Sequence, residues 1–523
     1  MELVNLNADP VIIDPITLIN ITSPKHNHDI KKQKELKDHK GQFYKEFIPP
    51  YSDKKIKICP SIPDKELSQE EKMNIRKMVT TKFLFGLSNL GNTCFLNSVL
   101  QAIIADDTLR SVLLDENEYN ENLQYIEKNI KKEVFYNLQR KKAKKHNIDP
   151  KGVKILKRNF EAKLKDKLKE PTMLELLREL VITADEGNRI IGPEKIKKKI
   201  SNLRKQFYGY GQQDAEEAFT LLISNGLADE TKRSANVVLE NPTREMVRLM
   251  TEESKYKDIS SDEFKDPIER LNATNALTYL RHNNYELYIK LDAFRYWHDH
   301  INENFSIVNP YNGLSCSILE CNECEYKSAS FDNFYFVPLV IPQKTGEVTL
   351  DDCFKQYSAK EELEKDNYWY CPRCEKKVPS AKSMGLWEAP DNLVITFKRF
   401  NYHTNGGRGS KIDTTVHFPF NDMIINNLFS DSAEKKEYKY ELYATVNHSG
   451  NLGGGHYIAY TKSSMNGLWY KRDDSNTSAV KFDSEKDLFD KISGSCFKPY
   501  LLFYRRIFDD VDEVDESDDE IDL

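Results

Sequence analysis

The sequence predicts an α+β fold. Helical periodicities dominate the part of the chain before Cys316, and alternating or apolar-rich segments dominate the part after it. Helices first and strands afterwards argue against a repeating strand–helix chain with a parallel sheet. At 523 residues the chain can form one large domain with extensions, or two or three smaller ones.

Composition narrows the function classes. A net charge of −7 with 30% charged residues points to no nucleic-acid partner. The first residues are acidic early and lack a basic stretch ahead of an apolar core, so no secretory signal is expected. No apolar run approaches the roughly 20 residues that span a bilayer. The nine cysteines are an odd number, and four of them form two Cys-x-x-Cys pairs. That usage favours metal-binding and catalytic thiols in a reducing compartment, cytoplasm or nucleus, over a disulfide framework.

Taken in order, residues 1–82 are polar, rich in proline and in lysine between Lys31 and Lys40, and read as an extension. The segment from Gly86 to Gln101 divides at Cys94. Before it lie Gly86, Asn89, Gly91 and Asn92, which suit tight turns. After it, Phe95, Leu96, Val99, Leu100, Ile103 and Ile104 recur at three and four residues, as one buried helix face does. With Asn92 or Thr93 as N-cap, Cys94 falls in the first helical turn. Unpaired N–H groups and the positive end of the helix dipole there favour a thiolate, the nucleophilic form of cysteine. The plain alternative, a buried cysteine on an amphipathic helix, leaves two glycines and two asparagines at the entrance unexplained.

Residues 108–170 are strongly charged, with lysine clusters at 141–145 and 163–169. They read as a solvated helical face, with an acidic partner as the other reading. Leucine spacing predicts a helix from Met173 to Ala184. A glycine turn at 207–211 feeds another amphipathic helix up to Ile223. Residues 225–305 read as helical in places and irregular in others. Strands are expected at 331–341, 393–400, 440–448, 456–461, 468–473 and 500–505. Residues 509–523 are an acidic tail, too poor in apolar groups to fold.

A thiolate nucleophile needs a base, and the base needs an orienter. Of eleven histidines, His456 has the most telling context, where a glycine loop opens into a strand. A neighbouring antiparallel strand ending in Asp473 and Asp474 could place a carboxylate against its imidazole. His448, on the far side of the glycines, is the rival base. The pairs Cys321/Cys324 and Cys371/Cys374 suit a closed four-thiolate zinc site, structural because no position is left for water. The long gap between them requires a hairpin to return the chain, and two unrelated pairs of reduced thiols is the alternative. Asp214 and Glu217 fit a capping pair at the start of the second helix, with an acidic patch for a basic substrate segment as the other reading.

Together these motifs resemble the ubiquitin-specific protease family of deubiquitinating enzymes. The resemblance covers about residues 83 to 506 in the family's order. It rests on the cysteine box at 86–101, the glutamine box at 211–217, the zinc knuckles, Lys398-Arg399-Phe400 and the histidine box at 440–460 with Trp469 to Asp474 after it. It implies a papain-like cysteine peptidase core with thumb, palm and zinc-bearing fingers, occupying residues 83–508. The stretches near 108–170 and 225–305 would then be insertions. It also implies thiol-dependent hydrolysis after the terminal Gly-Gly of ubiquitin. Cys94 would be nucleophile, His456 general base, Asp473 orienter, Asp474 the family's second carboxylate and Asn89 the oxyanion donor. Gln212, Asp214 and Glu217 would contact the ubiquitin tail. Zinc would be structural only, with no cofactor for catalysis, and the partners would be ubiquitin and ubiquitinated proteins. Phe95 and Leu96 stand where the family usually has Tyr-Met, a volume-conserving change. The competing readings are a ubiquitin-binding scaffold without turnover and a protease for a ubiquitin-like modifier.

Overall fold

The computed structural model describes residues 84–143, 160–187, 189–237, 242–401, 410–434, 437–451, 454–494 and 496–508. The extension expected over 1–82, the acidic tail over 509–523 and the lysines at 144–145 lie outside the described residues. The helices used below are α1 (Cys94–Ile104), α2 (Asp107–Leu114), α3 (Glu116–Ala143), α4 (Met173–Asp185), α5 (Glu194–Leu203), α6 (Ala215–Leu222), α7 (Arg244–Ser261), α8 (Pro267–Asn283), α9 (Tyr285–Glu303), α10 (Leu350–Ser358) and α11 (Glu485–Ile492). No described helix is long and apolar enough to cross a membrane.

The strands form two main sheets. The smaller contains β1 (Gly313–Cys321), β2 (Lys327–Phe334), β4 (Glu361–Glu362) and β5 (Ser380–Glu388), ordered β2-β1-β5-β4. The larger contains β3 (Val337–Leu339), β6 (Asn392–Phe397), β7 (Met423–Ile424), β8 (Lys439–Asn451), β9 (Gly454–Lys462), β10 (Trp469–Asp473), β11 (Asn476–Ala479) and β12 (Lys498–Ile507). Its order is β11-β10-β9-β8-β12-β6-β3, with β7 beside β8. All its pairs are antiparallel except β6 with β3. α1 to α9 precede the strands of both sheets, as the periodicities predict, while α10 and α11 lie among the strands.

The large sheet is covered on both faces, which is why its inner strands read as continuous apolar runs. Along β12, Leu501 and Phe503 join α1, α4 and α6 in one core cluster, while Leu502 and Tyr504 join α10 and α11 in another. Every residue of α1 is buried. Eleven residues fall short of the ~12–15 at which even a good isolated helix becomes marginal, so this helix exists because the sheet covers it. At about 1.5–3 kcal/mol for each fully buried large apolar side chain, Leu96, Val99, Leu100 and Ile103 outweigh any intrinsic propensity. The turn into α2 is pinned as well. Asp106 caps α2 through the Thr108 N–H at 3.0 Å and accepts from Tyr311 Oη at 2.7 Å and Asn392 Nδ2 at 2.8 Å. Burial pushes its carboxyl up to about 6.

Two expectations are corrected. Residues 225–305 are far more regular than their sequence suggests, holding α7, α8 and α9. Among the described residues of α8 only Ala273 is buried, so no apolar stripe marks it as a helix. Its cap was legible instead: Asp266 accepts from the Ile268 and Glu269 N–H groups with Pro267 behind it. The segment 331–341 is not one strand, because β2 ends at Phe334 and Val337 enters the other sheet. By contrast, within the 108–170 stretch the described side chains of α3 lie mostly at the surface, as expected, held by Ile126, Val134 and an Arg233–Asn122 bond at 2.7 Å, while residues 108–114 belong to α2 and bury Leu109, Val112 and Leu113.

Candidate active site

The cysteine segment is stitched to the far end of the sheet before the helix begins. Gly86 and Leu87 pair in parallel with Ile190 and Ile191, and the Leu87 N–H donates to the Asp474 carbonyl at 2.8 Å. A Cβ on Gly86 would lie 2.2 Å from the Ser475 carbonyl oxygen, so only glycine permits this approach. The chain then turns through Gly91 and Asn92, both at positive φ. Thr93 is the N-cap residue but makes no side-chain cap bond. Its hydroxyl accepts the Leu90 N–H at 2.9 Å instead. The first turn of α1 therefore starts at Cys94 with no side chain across its N–H groups.

Asp474 locks this entrance. One carboxylate oxygen accepts from Asn97 Nδ2 and the other from Asn89 Nδ2, each at 2.7 Å. The Asn89 oxygen faces the turn, accepting the Gly91 and Thr93 N–H groups at 3.0 and 3.2 Å. These bonds fix which end of the amide is nitrogen. Asn97 is a residue that sequence reasoning missed. The available signal was a polar side chain three residues after Cys94, on a helix buried throughout.

The other half of the site comes from β8, β9 and β10. The register of β9 with β10 pairs Ala459 with Arg472, so His456 and Asp473 lie just past the last ladder pair. His456 Nε2 meets Asp473 Oδ1 at 2.7 Å, which leaves Nδ1 for a partner across the cleft. That partner is the Cys94 sulfur, and its hydrogen bond is the main cause raising the His456 imidazole to about 9; burial opposes the rise and Asp473 adds to it. The Asp473 carboxyl is held below its usual range by His456 and Lys471 in spite of burial. His448 is different. Burial, then the Lys411 charge, push its imidazole down to about 4, and its ring lies between Tyr457 and Phe400. A Cβ on Gly455 would come 2.3 Å from His448 Nε2, so that glycine lets the loop close over the ring.

Of Gln212, Asp214 and Glu217, the first is tied to the residue before His456 and the other two to different neighbours. The Gln212 amide bonds the Gly455 backbone twice, donating to its carbonyl at 2.7 Å and accepting its N–H at 2.6 Å. Asp214 caps α6, accepting the Glu216 and Glu217 N–H groups, and also takes the Tyr500 hydroxyl at 2.9 Å. Its carboxyl is raised by burial. Glu217 does not complete a capping box; its carboxylate takes the Gln206 amide and lies 3.9 Å from Arg204.

The four knuckle cysteines meet away from this cleft. Cys321 ends β1, Cys371 ends a short hairpin strand, and β5 pairs Ser380 with Cys321 to return the chain as the spacing requires. Sγ atoms of Cys321 and Cys374 are 3.8 Å apart, and those of Cys324 and Cys371 are 3.6 Å apart. A tetrahedral zinc with Zn–S of about 2.3 Å demands S···S edges of about 3.8 Å, so the four sulfurs fit one ion. Each knuckle turns through a glutamate at positive φ, Glu325 and Glu375. In each, the N–H of the second cysteine reaches the first sulfur at 3.4 Å.

The two histidines give a direct check on this arrangement. An NMR titration of the full chain is expected to show His456 charged through pH 7 and losing its proton near 9. His448 is expected to stay neutral above about pH 4. Two imidazoles titrating together near the ordinary value of about 6.5 would contradict the geometry.

Comparison with known proteins points one way. The family model described as ubiquitin carboxyl-terminal hydrolase matches residues 85–504. A probable ubiquitin carboxyl-terminal hydrolase of Acanthamoeba polyphaga mimivirus is 27% identical over 458 residues, covering 82% of this chain and 91% of that protein. Ubiquitin carboxyl-terminal hydrolase 4 of Saccharomyces cerevisiae is 26% identical over 449 residues, covering 82% of this chain but 39% of its own length. Among solved structures, the SAGA DUB module Ubp8/Sgf11/Sus1/Sgf73 bound to monoubiquitin aligns with TM-score 0.49 and 22% identity, over 82% of this chain and 70% of the other. With the family model spanning both halves of the cleft, the chain belongs to the ubiquitin carboxyl-terminal hydrolase family.

Proposed function

We propose that the chain is a thiol-dependent deubiquitinase that cuts the isopeptide or peptide bond after the C-terminal Gly-Gly of ubiquitin, with Cys94 as nucleophile. The observation that carries this reading is the thiol–imidazole–carboxylate chain through Cys94, His456 and Asp473, contributed by α1, β9 and β10. The names of the relatives agree with it. Cys94 attacks the glycine carbonyl as thiolate, with the proton on His456. The oxyanion that forms takes hydrogen bonds from the second Asn89 N–H and the Cys94 backbone N–H. His456 gives its proton to the leaving amine, producing a thioester, then removes a proton from water so that hydroxide releases the glycine carboxylate. The intermediate expels the Cys94 sulfur as thiolate, the proton taken from water stays on the imidazole, and the released carboxyl gives its own proton to solvent. Asp473 keeps the ring in the tautomer that presents Nδ1 to sulfur.

In this reading the helices up to α6 form the thumb, the large sheet the palm and the small sheet the fingers. The bidentate hold of Gln212 on Gly455 fixes the floor of the channel for the diglycine, and Asp214 and Glu217 supply carboxylates for the basic ubiquitin tail. The four cysteines would hold a structural zinc that ties the finger knuckles together and takes no part in catalysis. Buried reduced thiols and a four-thiolate site suit a reducing intracellular compartment, cytoplasm or nucleus.

Hydrolysis of a fluorogenic ubiquitin C-terminal conjugate tests the activity. The wild-type chain is expected to turn it over, Cys94→Ala to lose turnover while still binding ubiquitin, and Asn89→Ala to lose roughly 10²–10³ in kcat, as for one oxyanion donor. Full activity in Cys94→Ala would sink the assignment. Metal analysis is expected to find one zinc per chain, lost in Cys371→Ser together with a lower unfolding temperature. An unchanged melt after complete removal of zinc would show that the ion does not hold the fingers.

A further inference from the structure

Strand side chains alternate faces, so Lys471 and Asp473 leave β10 on the same side. The Lys471 ammonium holds Asp473 Oδ2 at 2.9 Å while Oδ1 holds His456 at 2.7 Å. The same ammonium lies 5.7 Å from the centre of the Phe497 ring. That ring meets the His456 imidazole edge to face, with centroids 6.1 Å apart and planes at 74°. Four side chains thus close a loop, His456 to Asp473 to Lys471 to Phe497 and back to His456. The imidazole is gripped by a carboxylate on one side and an aromatic ring on the other, and Lys471 joins the two.

Resting on the catalytic reading above, we propose that Lys471 is a positioning residue: it fixes the Asp473 carboxylate by occupying its second oxygen and steadies Phe497 against the His456 ring. A carboxylate has a broad, nearly two-fold torsion about its last bond. Without a partner on Oδ2, Asp473 can turn and exchange oxygens, and the imidazole can follow it away from the sulfur. Lys471 and Asp473 are 36% and 31% exposed. A pair so open to solvent contributes little to folding, so its worth lies in geometry at the imidazole. The charged and titratable groups facing that ring are Cys94 from α1, Asp473 and Lys471 from β10, Asp474 just after it and His448 from β8. Removing the lysine frees the ring to leave the Cys94 sulfur, whose hydrogen bond is the main cause holding the proton on it, so the imidazolium loses its proton at lower pH.

Lys471→Met keeps the aliphatic stem over Phe497 and removes the charge, while Lys471→Arg keeps a donor for Oδ2. Lys471→Met is expected to lower kcat on a ubiquitin conjugate by roughly ten- to a hundredfold, the scale of a misplaced catalytic group. KM should stay within about twofold, since no substrate contact is lost. The alkaline limb of the pH–rate profile should move down, and Lys471→Arg should restore most of kcat. Unfolding temperatures near wild type for both variants would make the comparison valid; if Lys471→Met fails to fold, Lys471→Gln takes its place. Unchanged kcat and pH profile in a folded variant would overturn the proposal, as would a loss that Lys471→Arg does not rescue. The His456 ring signals, followed by NMR in the Met variant, separate this from the catalytic reading. An inactive wild type with a shifted His456 titration would contradict the hydrolase and keep the Lys471 linkage; an active wild type with an unshifted titration would do the reverse.

Discussion

The Asp474 carboxylate is the constraint on which the site depends. It takes Asn97 from inside α1 and Asn89 from the turn before it, while its own backbone carbonyl takes the Leu87 N–H. Asp473, its neighbour in sequence, holds His456. One turn of chain at the end of β10 therefore grips the imidazole with Asp473 and α1 with Asp474. The Cys94–His456 distance is set by covalent spacing as well as by packing. Burial of α1 against the sheet supplies the free energy, and the two carboxylates supply the direction.

Much of this was legible because the chemistry needs uncommon residues close together. A turn of Gly91 and Asn92 before Cys94, glycines directly before His456, and two carboxylates ending a strand each leave a local mark. The pairing of β9 with β10 could also be expected, since only one short connection separates them. What the sequence hid is where polar atoms go once folded. Nothing local says that Asn97 and Asp474, 377 positions apart, share a hydrogen bond, or that Tyr500 reaches Asp214. Glu217 sits where a capping partner belongs, and its turn to Gln206 depends on a neighbour in the loop before the helix. The helices α7, α8 and α9 were obscure for another reason: helices that bury little carry no stripe, and their caps are the clearer signal.

The same reasoning separates the two histidines. His448 and His456 lie on paired strands, and composition alone ranks neither. Burial between Tyr457 and Phe400 keeps the first neutral, and the sulfur and carboxylate keep the second charged. The four cysteines and the His456–Asp473–Asp474 group are separate clusters, which is why the four-sulfur geometry and the geometry at the imidazole can be judged independently.

The central claim is that the sulfur of residue 94 is the one poised for a diglycine end. Trapping with a ubiquitin whose C-terminus carries a thiol-reactive electrophile, with peptide mass mapping of the product, tests it most directly. The account predicts a single adduct on the peptide containing Cys94, absent after His456→Ala under the same conditions. An adduct on Cys316, Cys353 or Cys496 in its place, or none on the folded wild-type chain, would contradict it.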